Sequence, residues 1–152
     1  MNLKGKRAVA RLVEAAIRAR ARAYCPYSRY PVGAAVLTES GRVFAGCNVE
    51  NASYGLSICA ERAAICRAIS AGHGALRAIA VAGAAAKPCG ACRQVMAEFS
   101  GKDTAVHLID LNAKTGRRSV VRTTVFKLLP MAYDPVSSGL LPRNPHNLPN
   151  RR

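Results

Sequence analysis

The spacing of apolar residues changes along the chain, and each change predicts a separate structural element. Over residues 6–23 the apolar side chains recur three and four positions apart while arginines occupy another face, which predicts an amphipathic helix. This helix should end before the segment CPYSRYPVG, because proline removes a backbone donor and favours extended backbone in the preceding residue. The two apolar stretches that flank ESG, at about 33–38 and 42–49, predict a β-hairpin.

Beyond this hairpin, the pattern alternates between helical and extended segments. The further predicted elements are a helix at about 59–71, a buried strand at about 76–83, a helix at about 90–99, strands in TAVHLIDL and RRSVVRT, and a short helix in TVFKLLP. The order α-β-β-α-β-α-β-β-α predicts one sheet covered by helices, which is an α/β layered fold. We expect a single domain over 1–133 and an irregular, partly disordered tail over 134–152, which is rich in Pro and Asn.

The length and composition of the chain suit one globular domain. A chain of 152 residues, half of them hydrophobic, can bury a sizeable core. No apolar run approaches the ~18 residues that a membrane span needs, and no secretory signal is visible. The basic, amphipathic N-terminus has features of a transit peptide, but it also suits the first helix of the domain. We therefore expect a cytoplasmic protein that does not associate with membranes.

The charge of the chain is strongly positive. The 23 Lys and Arg residues against 8 Asp and Glu give a formal charge of +15, which could attract nucleic acid or another polyanion. Aromatic residues are few and do not alternate with the charges, so no base-stacking surface is evident. We interpret the basic residues as solvated faces and expect nucleic acid to bind only non-specifically, if at all.

Six cysteines raise the question of disulfides or metal. They are Cys25, Cys47, Cys59, Cys66, Cys89 and Cys92. Three disulfides are arithmetically possible, but a chain without a secretory signal more often uses such residues for a metal or for catalysis.

Three of these cysteines occupy helix starts. Cys59 opens one predicted helix, and Cys89 and Cys92 open another. The partial positive charge at a helix N-terminus favours thiolate, so two such starts facing each other would gather three thiolates around a zinc ion. Three protein ligands leave a fourth position for water, which is typical of a catalytic site. A CxxC pair alone could also be a redox pair or half of a structural site, and the sequence does not exclude Cys25 or Cys47 as a fourth ligand.

Glu61 and Arg62 follow the first of these cysteines directly. A carboxylate two residues beyond a zinc ligand can accept a proton from water at the metal and pass it to a substrate, as nucleobase deaminases do. Three thiolates and Zn²⁺ carry an excess negative charge that weakens the metal as a Lewis acid. A guanidinium that donates to cysteine sulfur would withdraw some of that charge, and we assign this role to Arg62.

The motifs resemble those of a known enzyme family. The segments GCNVENASYGLSICAERAAI, PCGACRQV and AYCPYSRYPVGAAV are similar to those of the small homotetrameric cytidine deaminases with a three-cysteine zinc site, across residues 20–133. This resemblance implies a three-layer α/β/α sandwich with a five-stranded mixed sheet. It also implies hydrolysis of cytidine and 2′-deoxycytidine to uridine and 2′-deoxyuridine in pyrimidine salvage, with one zinc per chain on Cys59, Cys89 and Cys92.

The resemblance also assigns roles to residues outside the metal site. Asn48 and Glu50 would bind the ribose hydroxyls, and the residues themselves agree, because they alternate with Val49 at a strand end and can point to one side. The backbone of Ala60 would contact the base, on which Tyr30 would stack in place of the family's usual Phe. The residues expected to reach a neighbouring subunit are Ala52, Tyr54 and Tyr133.

Two other functions remain open at this stage. One is a deaminase for a modified cytosine nucleoside or a nucleoside antibiotic, although the presence of both Asn48 and Glu50 favours ordinary ribose. The other is a zinc-stabilised nucleic-acid-binding module, which the positive charge favours and the glutamate beside the zinc ligand opposes.

Overall fold

A computed structural model describes residues 3–111, 117–135 and 137–140. The strands are β1 (Gly33–Thr38), β2 (Val43–Cys47), β3 (Leu76–Gly83), β4 (Ser100–Leu111) and β5 (Arg118–Thr124). The helices are α1 (Leu3–Arg20), α2 (Ala60–Ser70), α3 (Gly90–Phe99) and α4 (Val125–Leu128), with a short 3₁₀ turn at Tyr54–Leu56. The element order is the predicted one.

The strands form a single mixed sheet. Their spatial order is β2-β1-β3-β4-β5, with β3 and β4 parallel and the other neighbours antiparallel. The parallel connection between β3 and β4 runs through α3, as a βαβ unit requires. The five-stranded mixed sheet that the resemblance implied is therefore present.

Helices cover both faces of this sheet. Leu12, Val13 and Ala16 of α1 pack against one face, in a cluster with buried residues of β1, β3 and β4. The helices α2, α3 and α4 pack against the other face, where Ile65 and Met96 lie in a second cluster. The chain thus folds as three layers, α/β/α, and the predicted fold class is confirmed.

Two glycines let the helices approach the sheet closely. A Cβ atom on Gly33 of β1 would lie 2.1 Å from the carbonyl oxygen of Ala16 in α1. A Cβ atom on Gly46 of β2 would lie 2.6 Å from the backbone nitrogen of Ala64 in α2. No real Cβ tolerates such distances, so each helix rests directly on a strand at a point where only glycine fits.

Three predicted boundaries were wrong. The first helix ends at Arg20 rather than 23, because the chain turns there and the Arg20 guanidinium donates to the carbonyl of Pro31 at 3.1 Å. The second hairpin strand ends at Cys47 rather than 49. The side chain of Asn48 turns instead towards the preceding loop, where its Oδ1 atom accepts from the backbone N–H of Val32. The strand predicted in TAVHLIDL begins earlier, at Ser100, directly after α3.

The predicted tail begins at Asp134. Its described part, 134–135 and 137–140, contains turns and no helix or strand. Residues 136 and 141–152 lie outside the described residues, so the division at 133/134 stays a prediction. Within the described ranges, no helix combines the length and hydrophobicity that crossing a bilayer would require.

Candidate active site and metal centre

The starts of α2 and α3 bring three cysteines together. Cys59 is the N-cap of α2, Cys89 is the N-cap of α3, and Cys92 lies in the first turn of α3. The Sγ atoms of Cys59 and Cys89 are 3.9 Å apart, and those of Cys89 and Cys92 are 3.5 Å apart. All three ligand atoms lie within 4.8 Å of one another. The predicted cluster is therefore formed by the two helix starts.

This cluster has the dimensions of a zinc site. Four ligands at the usual Zn–S distance of about 2.3 Å in a tetrahedron would be about 3.8 Å apart, close to the observed separations. All six cysteines are free thiols, so no disulfide competes for these sulfurs. Among the described residues, the cluster does not include Cys25 or Cys47. Three thiols without a fourth protein ligand match the open zinc site that the sequence predicted.

The pKa values of Cys59 and Cys92 are shifted in opposite directions. The pKa of Cys59 is lowered to about 5, first because the Cys92 thiol donates a hydrogen bond to its sulfur, and further by Cys89 and Arg62. The pKa of Cys92 is raised, because that shared hydrogen bond to Cys59 and its own burial both hold the proton on its sulfur. At neutral pH the cluster therefore already contains a thiolate to which a cation is attracted.

Glu61 lies in the first turn of α2, next to this cluster. Only 3% of its surface is exposed. Burial raises the pKa of the Glu61 carboxyl, and the negative charge on Cys59 raises that pKa further. A carboxyl whose pKa moves towards neutrality is suited to accept and release protons at the operating pH.

Arg62 lies beside the Cys59 sulfur. Its guanidinium is among the groups that lower the pKa of Cys59. Its Nη2 atom donates to the carbonyl of Ser57 at 3.0 Å, which fixes the backbone just before Cys59. The Nε atom is buried and has no hydrogen-bond partner in the described part of the chain. The position fits the predicted withdrawal of charge from the sulfurs, which stays a prediction.

Asn48 and Glu50 contact one loop, residues 27–32. The Oδ1 atom of Asn48 accepts from the backbone N–H of Val32 at 2.9 Å, and its Nδ2 atom donates to the carbonyl of Tyr30 at 3.0 Å. Glu50 accepts from the backbone N–H groups of Tyr27 and Ser28 at 3.0 and 3.2 Å, and from the Ser28 hydroxyl.

The hydrogen bonds to Glu50 determine its charge at neutral pH. The hydrogen bond from the Ser28 hydroxyl is the main reason that the pKa of Glu50 is lowered, with further help from the two backbone N–H groups. Glu50 is therefore a carboxylate at neutral pH. Sequence reasoning placed Asn48 and Glu50 on one side of the chain but did not foresee Ser28 as the partner.

The hydroxyl of Tyr30 has a hydrogen-bond partner in the loop after β3. It donates to the carbonyl of Ala84 at 2.5 Å. The pKa of Tyr30 is raised by burial and then by the charge of Asp110. The same Asp110 accepts from the backbone N–H of Ala85 at 2.7 Å, so the loop between β3 and α3 is held at two adjacent residues. This loop leads into the second and third thiols.

The residues predicted to reach a neighbouring subunit are exposed. Tyr54 is 74% exposed and packs edge-on against Tyr27, with ring centroids 5.7 Å apart. Ala52 and Tyr133 are also exposed, as is Met131. The structure describes a single chain, so their contact with a second subunit stays a prediction.

Sequence reasoning missed the two residues that follow Cys92. Arg93 donates through Nε to the carbonyl of Pro88 at 2.8 Å and through Nη1 to the carbonyl of Leu128 at 3.0 Å. Gln94 holds the backbone of Tyr133 from both sides: its Nε2 donates to the carbonyl at 2.9 Å, and its Oε1 accepts from the N–H at 3.2 Å. The thiol-bearing helix is thus tied to the segment that carries Tyr133. The motif PCGACRQV contained both residues, but only the fold reveals their partners.

Comparison with known proteins bears on the identity of this site. A model of the cytidine and deoxycytidylate deaminase zinc-binding region matches residues 6–108. A cytidine deaminase of Sporosarcina psychrophila is 44% identical over 128 residues, which cover 82% of this chain and 90% of the relative. A cytidine deaminase of Halalkalibacterium halodurans is 49% identical over 125 residues, which cover 80% of this chain and 91% of the relative.

Solved structures give the same result. The crystal structure of cytidine deaminase from Burkholderia pseudomallei superposes with a TM-score of 0.74 at 47% identity, covering 82% of this chain and 98% of that one. The matched family is defined by a zinc-binding region, and the three sulfurs described above lie within the matched residues. The chain therefore belongs to the cytidine and deoxycytidylate deaminase family, with zinc as its cofactor.

Proposed function

We propose that this protein catalyses the hydrolytic deamination of cytidine and 2′-deoxycytidine, giving uridine or 2′-deoxyuridine and ammonia. The observation that carries the proposal is the buried Glu61 carboxyl, two residues from Cys59, beside a cluster of three thiols at two helix starts. A structural zinc site has no use for a buried acid at this place, whereas hydrolysis of an amidine needs a group that carries protons between water and substrate.

The chemistry divides between the metal and the protein. Zinc held by Cys59, Cys89 and Cys92 would supply Lewis acidity that makes water a stronger acid near neutral pH. Glu61 accepts the proton that water loses as its oxygen bonds to C4 of the base, and delivers it to N3. It then transfers the second proton, which the oxygen now bonded to C4 gives up, to the amino group, so that the C4–N bond breaks, ammonia leaves and a carbonyl remains at C4. Its burial keeps bulk water from competing for these protons.

The rest of the site orients the nucleoside. Asn48 and Glu50 bind the sugar hydroxyls, Tyr30 stacks on the base, and the backbone at Ala60 contacts the base edge. The bonds from Ser28 and Tyr27 support this assignment, because they fix the Glu50 carboxylate in one orientation before the sugar arrives. Arg62 withdraws charge from the thiolates through Cys59.

The charge on Glu50 favours a nucleoside over a nucleotide. A carboxylate repels a phosphate placed on the sugar it binds, and the low pKa of Glu50 keeps it charged at neutral pH. The family as a whole includes enzymes for deoxycytidylate as well as for cytidine. We therefore assign this chain to nucleosides, and with them to pyrimidine salvage in the cytoplasm.

We also propose that the active protein is a homotetramer whose sites use residues of neighbouring chains. The exposed side chains that support this are Tyr54, Leu56, Ile58, Met131 and Tyr133. A monomer would leave these apolar surfaces in water, close to the substrate site. Light scattering at the assay concentration tests this proposal, and a fully active monomer would disprove it.

The decisive experiment mixes the zinc-loaded protein with cytidine and follows the loss of absorbance as uridine forms. Cytidine and 2′-deoxycytidine should be deaminated, and deoxycytidylate should be a much poorer substrate. The matched control is Glu61→Gln, which keeps the size of the side chain but cannot carry protons, so its rate should fall by at least about 10²-fold.

Two outcomes would point elsewhere. If deoxycytidylate had the higher kcat/KM, the assignment to nucleosides would be wrong. If single-stranded DNA or RNA were deaminated faster than cytidine, the positive charge of the chain would be the better guide to its substrate.

A further inference from the structure

A basic groove lies along the open edge of the sheet, away from the candidate active site. Its volume is about 520 Å³. It is lined by Ala10, Arg11, Glu14, Ala15, Arg18, Val43, Ala45 and Arg67. None of these residues has a role in the proposed deamination, so the groove is open to a separate explanation.

The charge of the groove is positive. Three arginines line it, two on α1 and one on α2, against the single carboxylate of Glu14 among its lining residues. That carboxylate is already paired, because its Oε1 atom accepts from the guanidinium of Arg118 at 2.8 Å. The arginines therefore converge on a concave surface whose one negative charge is compensated from outside.

The edge strand adds backbone donors. In the β1–β2 ladder the bonds from Thr38 N to Arg42 O and from Asn48 N to Val32 O mark the residues that face β1. Since facing and outward residues alternate in an antiparallel pair, Val43 and Ala45 direct their backbone groups off the edge. Arg67 confirms this direction, because its Nη1 donates to the carbonyl of Ala45 at 3.2 Å. Within the described ranges, the outward N–H of Ala45 is left as a donor beside the arginines.

The spacing of the arginines along α1 suits an extended anion. Arg11 and Arg18 are seven residues apart on one helix, so their Cα atoms are separated by about 10 Å along its axis. Each guanidinium can therefore bind a different phosphate of a linear chain that lies along the helix. Guanidinium groups bind phosphate oxygens in pairs, which gives such a chain several charge-assisted bonds.

Two other occupants fit less well. An acidic peptide would have to add as a strand to β2, but Arg67 already occupies the carbonyl of Ala45 that such a strand needs. A long polynucleotide would need the basic surface to continue with aromatic side chains on which bases stack, and the groove has none among its lining residues.

We infer that this groove binds a linear polyphosphate anion, either inorganic or the triphosphate of a nucleotide, through Arg11, Arg18 and Arg67. The inference does not depend on the deaminase activity. It explains part of the positive charge of the chain, because three of the arginines serve to bind a specific anion.

The test is a calorimetric titration of the zinc-loaded full chain with inorganic triphosphate at low salt. The groove variant Arg11→Gln/Arg18→Gln is compared with Arg77→Gln/Arg122→Gln, which removes the same net charge from exposed positions outside the groove. The groove variant should weaken binding by at least about tenfold and the control by less than about twofold. Thermal melting checks that both variants remain folded, which is expected because the substituted side chains are exposed.

A parallel titration with a nucleoside triphosphate separates the two sources. Tighter binding than that of inorganic triphosphate identifies a nucleotide as the ligand, and equal binding identifies the phosphate chain alone. If both variants weaken triphosphate binding equally, the attraction is only general electrostatics and the inference is wrong. It is also wrong if a cytosine-free single-stranded oligonucleotide binds in the groove while triphosphate does not.

Discussion

The two faces of the sheet are built from similar hydrophobic material but carry very different chemistry. The face under α1 is lined by aliphatic side chains, such as Leu12, Val13 and Ile109. The face under α2, α3 and α4 has a core of the same kind, with Ile65 and Met96, but at its edge the two longer helices begin with thiols and a buried acid. The chemical difference between the faces therefore lies in the residues at which the helices begin, since both faces have an apolar core.

This contrast teaches that one sheet can separate stability from chemistry. On the α1 face the clustered apolar side chains contribute only to packing, so a lost methyl group costs stability alone. On the other face the helix starts supply partial positive charge and free N–H groups, which favour thiolates and a carboxylate there. Substitutions on either face test how complete this separation is.

Replacing Cys89 with alanine should have the largest effect on the α2–α3 face. Because one of three closely spaced sulfurs is removed, the zinc content of the purified protein should fall to a small fraction and cytidine deamination should be abolished. Elemental analysis measures the metal. Cys66→Ala is the control, since this exposed cysteine lies outside the cluster and its loss should leave zinc unchanged. Full zinc occupancy in the Cys89 variant would disprove the ligand assignment.

Replacing Leu12 with alanine tests the opposite face. Leu12 is completely buried in the α1 cluster, so its truncation should lower the free energy of unfolding by about 2–5 kcal/mol. Zinc content and kcat per folded chain should stay unchanged if the faces are separate. Denaturant unfolding gives the stability, and a loss of zinc from the folded variant would show that the faces are coupled.

Replacing Glu50 with glutamine should act on the substrate and leave the metal in place. Loss of the carboxylate weakens a charged hydrogen bond to the sugar, and KM for cytidine should rise about tenfold with zinc unchanged. Ser28→Ala is the matched control, because it removes the bond that orients Glu50 but keeps the charge. Its effect should be smaller. If Ser28→Ala raises KM as much, Glu50 acts by holding the loop rather than by binding sugar.

Replacing Gln94 with alanine should have a moderate effect at the link between α3 and the C-terminal segment. Two hydrogen bonds to the backbone of Tyr133 are lost, so the presentation of that aromatic ring becomes less defined and kcat/KM should fall a few-fold. Glu98→Ala, at an exposed position on the same helix, should have no effect. A Gln94 variant with unchanged kinetics would mean that Tyr133 does not contribute to the site.

The smallest predicted effect is a pH dependence of stability through His107, on β4. Burial, and then the charge of Arg122, lower the pKa of His107 below its usual value. The unfolded chain therefore binds a proton near pH ~6.5 that the folded chain resists, and stability should fall as pH drops below that value, by at most about 1.4 kcal/mol per pH unit. Between pH 7.5 and 5.5, the Tm of His107→Gln should change less with pH than the Tm of the wild type.

Local sequence patterns predicted the elements well and their tertiary partners poorly. The strand Leu76–Gly83 and the helix Gly90–Phe99 have the predicted bounds, because the first is an apolar run interrupted only by Arg77 and the second begins at a motif. The start of β4 was missed because Ser100 and Lys102 carry no strand pattern. Ser100 is in the sheet only because Leu76 lies beside it.

Sequence separation explains which parts of the site could be predicted. Residues that are neighbours in the sequence could be placed together, whereas hydrogen bonds between distant residues could not be foreseen. Cys59 and Glu61 are two positions apart in the sequence, so their proximity follows from a helix start alone. The bonds of Glu50 to Ser28 and of Gln94 to Tyr133 span 22 and 39 residues. Nothing in local spacing encodes such contacts, which depend on the completed fold.

Gly46 has a consequence for anyone who redesigns this enzyme. Because α2 rests on the strand where this residue has no side chain, the distance between helix and sheet is set by a missing methyl group. That distance also determines how far Cys59 and Glu61 at the start of α2 reach towards α3. A mutant library aimed at new substrates can therefore vary the residues that touch the nucleoside, but it should hold Gly46 fixed. Gly46 is not among the residues assigned to substrate binding, yet it sets the distance between α2 and the sheet and with it the position of the residues at the start of α2.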